Sequence, residues 1–146
     1  MQKNKNISSS LFFLITSFIF CTNILGVNLE EHKYGLNVYK KGICMGWHSW
    51  HGKGGGHRAA VSLRNTELTL NEIINVIKCG RPGTGMPYFL KKAYKEEKCY
   101  DTIFEDYDES YRPVISQKFL SSKQIEAVST FVKEVLYDKN LDKSYC

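Results

Sequence analysis

The sequence predicts an all-α domain, because three segments place apolar residues at helical spacing and two of them begin with a capping box. In the stretch TLNE, Thr69 is the predicted N-cap and Glu72 stands three residues later, before the apolar run IINVI. This helix is expected to stop at Gly80. The second box pairs Ser121 with Gln124. The apolar stripe that follows it consists of Ile125, Val128, Phe131, Val132 and Val135.

A third helix is predicted in the stretch NLEEHKYGLNVYKKGICM, which begins at Asn28. Its apolar positions recur at helical intervals, and Glu30 and Glu31 lie in the first turn, where the helix dipole favours negative charge. The pattern fades between Gly42 and Met45, so the helix is expected to end there.

The segments between the helices are rich in glycine and proline. HGKGGGHR is predicted to be a flexible loop, and RPGTGMPYF a tight loop around Met86. A turn or short helix is expected at residues 63–68, and a short helix at residues 90–95. Residues 100–118 have no clear period and carry a run of acidic side chains, so we interpret them as an insertion loop.

Length and composition are those of one globular domain. The chain has 146 residues, of which 42% are hydrophobic and 24% charged, which argues against a disordered chain and against a multi-span membrane protein. The formal charge falls from +5 to +3 when Lys3 and Lys5 are left out. That excess is too small for a nucleic-acid-binding protein, so no nucleic-acid partner is expected.

Residues 1–26 are predicted to be a secretory signal peptide, and residues 27–146 the mature domain. Lys3 and Lys5 precede the apolar stretch LFFLITSFIF, as in such peptides. Cleavage is expected after Gly26. An uncleaved anchor is the alternative, in which case the signal itself would hold the protein at the membrane. Export predicts a periplasmic location or an equivalent oxidising space.

Five cysteines are present, and in an oxidising space some of them are expected to pair. Cys21 would leave with the signal peptide. A bond between Cys79 and Cys99, which lie twenty residues apart, is favoured. Cys146 would then be a free thiol. Cys44 belongs to the stretch CMGWHSW, which is interpreted separately below.

The stretch CMGWHSW differs by one residue from a motif for covalent haem attachment, C-x-x-C-H, because Trp47 stands at the position of the second cysteine. Cys44 precedes His48 by four residues, so a helical turn would place the thiol and the imidazole on the same side. A low-spin haem iron that carries electrons usually takes a histidine and a thioether as axial ligands. Met86, in a loop stiffened by prolines, could supply the thioether.

Two plainer interpretations of these residues remain open. Cys44 could be a small buried apolar residue or a disulfide partner of Cys79 or Cys99. A zinc site is also conceivable, although its residues follow no standard ligand spacing. Its ligands would be Cys44, His48, His51 and His57.

Taken together, the motifs resemble the class I cytochrome c family. The resemblance extends over nearly the whole predicted mature chain: the first helix, the stretch CMGWHSWHGKGG, the capped helix TLNEIINVIKCG, the loop GRPGTGMPYF and the last helix LSSKQIEAVSTFVKEVL. It implies a class I cytochrome c fold, in which three main helices, short helices and long loops surround one haem. It also implies that the first and last helices cross, with Gly35, Tyr39 and Phe131 at the crossing.

The same resemblance implies a haem site. A single thioether bond to Cys44 is expected, with His48 and Met86 as the axial ligands of the iron. Since Trp47 replaces the second attachment cysteine, the nearby vinyl group is expected to stay unreacted. The apolar residues expected around the haem are Trp47, Trp50, Pro87, Tyr88 and Phe89.

The function implied is that of a monohaem electron carrier without substrate chemistry of its own. Its expected partners are an exported dehydrogenase, for example a quinoprotein, and a terminal oxidase or another cytochrome. A haemless cytochrome-fold subunit that binds a partner protein is the alternative, and applies if the Trp47 indole fills the haem pocket. A ligand-binding or catalytic haem protein would require Met86 to lie away from the iron.

Overall fold

A computed structural model of the chain describes residues 29–55 and 60–137. The chain divides into two units, Met1–Glu31 and His32–Cys146. Of the first unit only residues 29–31 are described, and all contacts below lie within the second. The predicted signal peptide and three residues discussed above fall outside the described residues. These three are Cys21, His57 and Cys146.

The described part of the chain is all-α, as predicted. Its helices are α1 (residues 29–41), α2 (Cys44–His48), α3 (Leu70–Cys79) and α4 (Ser122–Thr130), which continues as a π-helical segment over Phe131–Leu136. Short 3₁₀ turns occur at Phe104–Asp106 and Glu109–Tyr111. Within the described residues there are isolated β-bridges but no strand. None of the helices described is long and apolar enough to cross a membrane.

Both predicted capping boxes are confirmed. The Thr69 hydroxyl accepts from the backbone N–H of Glu72 at 3.3 Å, and the Glu72 carboxylate accepts from the backbone N–H of Thr69 at 2.7 Å. Ser121 and Gln124 repeat this exchange at 3.3 and 2.9 Å. The first helix so capped ends at Gly80, where φ is +67°. Each box satisfies backbone donors that the first turn of a helix leaves unpaired.

Helix α1 crosses α4 at Gly35. A Cβ atom at this position would lie 2.4 Å from the carbonyl oxygen of Ala127 and 2.6 Å from the Cβ of Phe131. One turn further along α1, the Tyr39 ring packs on the Phe131 ring, with 5.5 Å between centroids. The three residues expected at a helix crossing therefore lie at one.

The hydrophobic core is built from the inner faces of α1, α3 and α4 and from the segment that follows Met86. The whole apolar stripe predicted for the last helix is buried. The larger core side chains are Val38, Tyr39, Ile73, Ile77, Tyr88, Phe89, Leu90, Ile125, Val128, Phe131, Val132, Val135 and Leu136.

The first helix ends close to the predicted position, directly before Gly42. Helix α1 stops at residue 41, Gly42 donates its N–H to the carbonyl of Val38 at 2.6 Å, and Ile43 takes a φ of +71°. A β-branched residue in this left-handed region is strained. The reversal separates α1 from α2, so the CMGWH stretch is a short helix of its own.

The short helix predicted at residues 90–95 is wrong. The carbonyl of Lys92 accepts from the N–H groups of Lys95, Glu96 and Glu97, which makes a turn, and Tyr94 has a φ of +63°. The open alternative at residues 63–68 resolves as a turn.

The segment predicted as an insertion loop, residues 100–118, is integrated with the rest of the fold. The Tyr107 ring meets the Tyr94 ring edge-on at 5.8 Å between centroids, and the Val114 carbonyl accepts from the N–H of Tyr88 at 3.0 Å. Its tyrosines therefore differ in burial: Tyr107 packs against the core, whereas Tyr111 is 62% exposed.

The favoured disulfide is confirmed: Cys79 is bonded to Cys99, and both residues are buried. The alternative in which Cys44 bonds to one of them is therefore wrong. Closing a loop of 20 residues stabilises the fold by about 3 kcal/mol in the chain-entropy model. Cys44 is the one free cysteine in the described part of the chain.

Replacing Gly35 with alanine is expected to destabilise the protein by about 1–3 kcal/mol, because the added methyl group would force α1 and α4 apart. Urea unfolding of the two proteins measures this difference. Gly46→Ala is the matched control, since its Cβ would lie 3.7 Å from the nearest atom, an ordinary contact. Equal stability of the Gly35 variant and the wild type would contradict the crossing geometry.

Replacing Thr69 with alanine is expected to raise the pKa of Glu72. The backbone N–H and then the hydroxyl of Thr69 hold that pKa below its usual value, and the variant removes the hydroxyl. Because the folded pKa lies below the unfolded one, the carboxylate stabilises the fold above the unfolded pKa, and this contribution is lost as pH falls through the folded pKa.

NMR titration of the Glu72 carboxyl, with urea unfolding at neutral and acidic pH, checks this expectation. The stability gap between the wild type and Thr69→Ala should narrow as the pH is lowered. Thr69→Ser keeps the hydroxyl and should leave the pKa low. An unchanged Glu72 pKa in the alanine variant would show that the side-chain bond is unimportant.

Candidate functional site

A cavity of about 250 Å³ lies among α2, α3, α4 and the segment 81–89. Its walls are mainly aliphatic and aromatic, and they bring together three side chains that can bond to a cofactor or metal: Cys44, His48 and Met86. The apolar lining includes Leu63, Leu68, Ile73, Val76, Ile77, Phe89, Val128 and Val132. Met86 thus shares one mainly apolar cavity with two residues that lie about 40 positions earlier in the sequence.

Helix α2 presents the thiol and the imidazole together. Cys44 and His48 are its first and last residues, one turn apart, so both side chains reach the same cavity. Burial raises the pKa of the Cys44 thiol to about 12. The thiol is therefore uncharged at neutral pH. Any addition of its sulfur to a ligand would start from the neutral S–H group or from a transiently formed thiolate.

The imidazole of His48 is oriented by a backbone acceptor. Its Nδ1 lies 2.9 Å from the carbonyl oxygen of Val61. A carbonyl can only accept, so Nδ1 carries the proton and Nε2 keeps its lone pair. Ligating histidines in metal sites are held in the same way.

Burial also keeps His48 neutral. Desolvation lowers its pKa, the hydrogen bond to Val61 opposes this, and the positive charge of Arg81 lowers the pKa further. A neutral imidazole with a free Nε2 is the form that binds metal ions.

The segment carrying Met86 is clamped to the end of α3. The N–H of Arg81 donates to the carbonyl of Met86 at 3.1 Å, and the N–H of Met86 donates to the Thr84 hydroxyl at 3.2 Å. At Gly80 a Cβ atom would lie 2.7 Å from both the Pro87 carbonyl carbon and the Tyr88 nitrogen. Both backbone groups of Met86 are satisfied locally, so its flexible side chain starts from a fixed point.

Two tyrosines, the buried Tyr94 and the exposed Tyr100, hold the same helix end. The Tyr94 hydroxyl donates to the carbonyl of Cys79 at 2.8 Å, and the Tyr100 hydroxyl donates to that of Gly80 at 2.7 Å. Burial raises the pKa of Tyr94 well above its usual value. With the Cys79–Cys99 bond, these contacts fasten the chain between α3 and Met86 to the segment that follows it.

Trp47 borders the donor cavity without filling it. It also lines a second cavity of about 510 Å³, which shares Gly85, Pro87 and Phe89 with the first. The second cavity extends toward Val114 and Ile115, which are both exposed. The indole thus stands at a boundary between the donor cavity and an apolar surface recess.

Six of the eight residues predicted from the sequence line the donor cavity together, and two do not. The six are Cys44, Trp47, His48, Met86, Pro87 and Phe89. Trp50 packs instead on the ring of His51, at 4.8 Å between centroids. Tyr88 is buried, its ring packs against the rings of Tyr94 and Phe119, and it does not line the cavity.

Sequence reasoning missed several lining residues. The buried faces of α3 and α4 were predicted, so Ile73 and Val132 could have been found by asking what those faces enclose. Leu63 and Leu68 lie in an irregular segment and carry no periodic signal. Arg81 also lines the cavity, and its closeness to Met86 in the stretch GRPGTGM was the available sign.

The zinc alternative gains no support from the geometry. No group of three or more His, Cys, Asp or Glu side chains within residues 29–55 and 60–137 is arranged to hold a metal ion. One proposed ligand, His57, lies outside those residues.

Comparisons of the chain with protein-family models, with curated proteins and with solved structures find no match. The chemistry of the donor cavity therefore carries the functional argument.

Replacing Gly80 with alanine is expected to cost at least about 2 kcal/mol more than replacing Gly55, because its methyl group would collide with the backbone after Met86. Both glycines have positive φ, +67° and +71°, but a Cβ at Gly55 would meet nothing within 4 Å. Urea unfolding of the two alanine variants measures the loss of stability in each, and the difference between them is the cost of the steric collision at Gly80. Equal costs would mean that the close approach at Gly80 contributes nothing.

Proposed function

We propose that the chain is an exported monohaem cytochrome of the class I c type, which carries one electron at a time between partner proteins. The observation that supports this most strongly is the convergence of Cys44, His48 and Met86 on one apolar cavity. A thiol, a neutral imidazole and a thioether are the three groups that such a cofactor needs from its protein.

The residues present fit a haem group. His48 has the free Nε2 of an iron ligand, Met86 offers a soft sulfur, and Cys44 is a thiol without a disulfide partner. The lining is mainly aliphatic and aromatic, as in cofactor pockets, but about 250 Å³ is small for a large flat ring, so the ring would also occupy part of the adjoining cavity of about 510 Å³. When bound, haem supplies a one-electron iron couple, and everything else is done by the chain.

Each residue has a distinct role under this proposal. Cys44 would hold the haem through one thioether bond, and His48 and Met86 would hold its iron, while the carbonyl of Val61 keeps the imidazole in place. The apolar walls exclude water, and a thioether ligand raises the reduction potential. The clamped backbone around Met86 limits movement of that ligand when the electron count changes.

The partners belong to the proposal as well. An exported dehydrogenase would deliver the electron, and a terminal oxidase or another cytochrome would take it. Trp47 and the exposed recess beside it supply a place where the cofactor edge could come near the surface. Electron transfer between two proteins needs a short distance between their cofactors.

The first test is the spectrum of the purified protein, made in a bacterial periplasm together with a system for attaching haem. We expect a c-type spectrum, with haem that resists acid–acetone extraction. The absorption band of its reduced pyridine complex should lie to the red of that of a haem with two thioether bonds, since one vinyl group stays conjugated. A colourless protein, or one that releases its haem to the solvent, would sink the covalent assignment.

Matched variants identify the attachment and proximal residues. Cys44→Ser should make the haem extractable, while Cys146→Ser should leave it attached. His48→Ala should reduce haem incorporation strongly. His51→Ala is the control, since His51 packs on Trp50 and does not line the cavity. If each control behaved like its partner variant, the assignment would be wrong.

Methionine variants test the sixth ligand. Met86→Ala should abolish the charge-transfer band of the iron–thioether bond, lower the reduction potential and allow carbon monoxide to bind. Met45→Ala should do none of this, because Met45 is half-buried against the core and outside the cavity lining. Carbon monoxide binding by the wild type without a competing ligand would favour a ligand-binding haem protein. A folded, colourless wild type would favour a haemless partner-binding subunit.

A further inference from the structure

Ser49 directly follows His48 and has a backbone conformation that is unusual for a residue with a side chain. Its φ is +63° and its ψ is 162°, a combination that occurs almost only in glycine. The surrounding structure must hold Ser49 in this conformation, because a serine without restraints would leave it. Strained residues of this kind cluster at functional sites, so the contacts that restrain Ser49 bear on the role of its neighbour.

Hydrogen bonds restrain Ser49 through both its backbone and its side chain. The hydroxyl of Tyr39, a buried residue of α1, donates to the carbonyl of Ser49 at 2.8 Å. The N–H of Gly52 donates to the same carbonyl at 3.2 Å. The hydroxyl of Ser49 in turn donates to the carbonyl of Gly54 at 2.8 Å. The backbone of Ser49 is thus tied to the core, and its side chain is tied to the loop that follows.

Gly54 lies directly against the peptide group that orients the imidazole. A Cβ atom at Gly54 would be 2.4 Å from the carbonyl oxygen of Ala60 and 2.8 Å from the carbonyl carbon of Val61. The carbonyl oxygen of Val61 is the acceptor for Nδ1 of His48, at 2.9 Å. The side chain of Val61 is a weak anchor, since this residue is 60% exposed. The position of its carbonyl therefore depends on backbone contacts such as the one with Gly54.

We propose that Ser49 is a positioning residue for His48. Its hydroxyl holds Gly54, Gly54 packs against Val61, and the Val61 carbonyl keeps the proton on Nδ1 and the lone pair on Nε2. The inference rests on the proposed function, in which His48 holds the iron. It adds a residue outside the cavity lining that controls how strongly the imidazole donates electrons to a metal.

Serine at this position has opposite effects on the backbone and on the imidazole. Glycine would take the same φ and ψ without strain, but it would remove the hydroxyl that donates to the Gly54 carbonyl. The N–H of Gly54 would still donate to the carbonyl of His48, at 3.1 Å. The loop would therefore loosen without detaching. Ser49→Gly thus separates the two effects, because it relieves the backbone and weakens the support of the imidazole.

The test measures the tautomers of His48 by nitrogen NMR of the full chain prepared without haem. The wild type should favour the Nδ1–H tautomer over the Nε2–H tautomer by at least about tenfold, as one hydrogen bond of ordinary strength allows. Ser49→Gly should reduce this ratio several-fold and leave stability to urea equal or higher. Ser49→Ala lacks the same hydroxyl, so it should reduce the ratio equally, but it keeps the strain and should be less stable than the glycine variant.

Ser49→Thr and Ser129→Ala are the controls. Threonine keeps the hydroxyl, so the tautomer ratio should stay near that of the wild type, although a β-branched residue at positive φ lowers stability. Ser129 is a buried residue of α4 whose hydroxyl donates to the carbonyl of Ile125 at 2.7 Å, outside the cavity lining. Its replacement should change stability to urea and leave the ratio unchanged.

A second measurement serves if circular dichroism shows that the haem-free chain has lost its helices. In the haem-loaded protein, Ser49→Gly and Ser49→Ala should raise the reduction potential. A weaker hydrogen bond at Nδ1 makes Nε2 a poorer electron donor, which stabilises oxidised iron less. Ser49→Thr and Ser129→Ala should have potentials close to that of the wild type.

The outcomes separate the two proposals. An unchanged tautomer ratio in Ser49→Gly, or an unchanged potential where only the loaded protein keeps its helices, would overturn the positioning role and leave the haem proposal standing. A change of equal size in Ser129→Ala would show a general loosening of the fold and would overturn that role as well. A folded, colourless protein from haem-supplied cells would overturn the haem proposal, whereas the tautomer ratio would still show whether Ser49 orients His48.

Discussion

The contact of α1 with α4 at Gly35 determines where the walls of the donor cavity stand. Tyr39, one turn further along α1, reaches the cavity, and so do Val128 and Val132 of the last helix. A close-packed interior transmits a small displacement rather than absorbing it. A side chain at the crossing would therefore change the width of the cavity without touching it. The donor residues depend on this contact for a common space.

The other half of the site depends on a second close approach, at Gly80. The segment with Met86 has no helix or strand to hold it, so its position comes from single backbone contacts with the end of α3. The disulfide and the hydroxyls of Tyr94 and Tyr100 bind the same helix end from the other side. The result is an irregular segment whose backbone is held at several points.

Features that depend on interactions between residues close in the sequence could be predicted, and features that depend on distant residues could not. The capping boxes at Thr69 and Ser121 and the stripe from Ile125 to Val135 depend on neighbours within a few residues, and the structure confirms them. The end of α1 near Gly42 was predicted, but the positive φ of Ile43 was not, since a β-branched residue gives no sign of that conformation. The turn at Tyr94 was mistaken for a helix because its conformation is set by contacts with distant residues, including Cys79.

The candidate site was predictable to a similar degree. Cys44, His48 and Met86 were identified by residue type and spacing, and the structure places them in one cavity. Trp50 and Tyr88 were assigned to the same cavity because each is apolar and lies two residues after a predicted iron ligand, His48 or Met86. Neither of them lines the cavity. Adjacent residues in an extended segment face opposite ways, so proximity along the chain is a poor guide to lining. Arg81 was overlooked because charge was considered only for the surface.

The tryptophan at position 47 has a consequence for the oxidation chemistry of the neighbouring thiol. Two cysteines within one helical turn can oxidise to a local disulfide, and a reductant must then reopen it before either sulfur can react. Here Cys44 has no cysteine beside it, and the nearest described cysteines are already bonded to each other. In an oxidising compartment its sulfur therefore needs no reducing step to reopen a local disulfide, and its raised pKa keeps it mainly as the thiol, which oxidises more slowly than the thiolate.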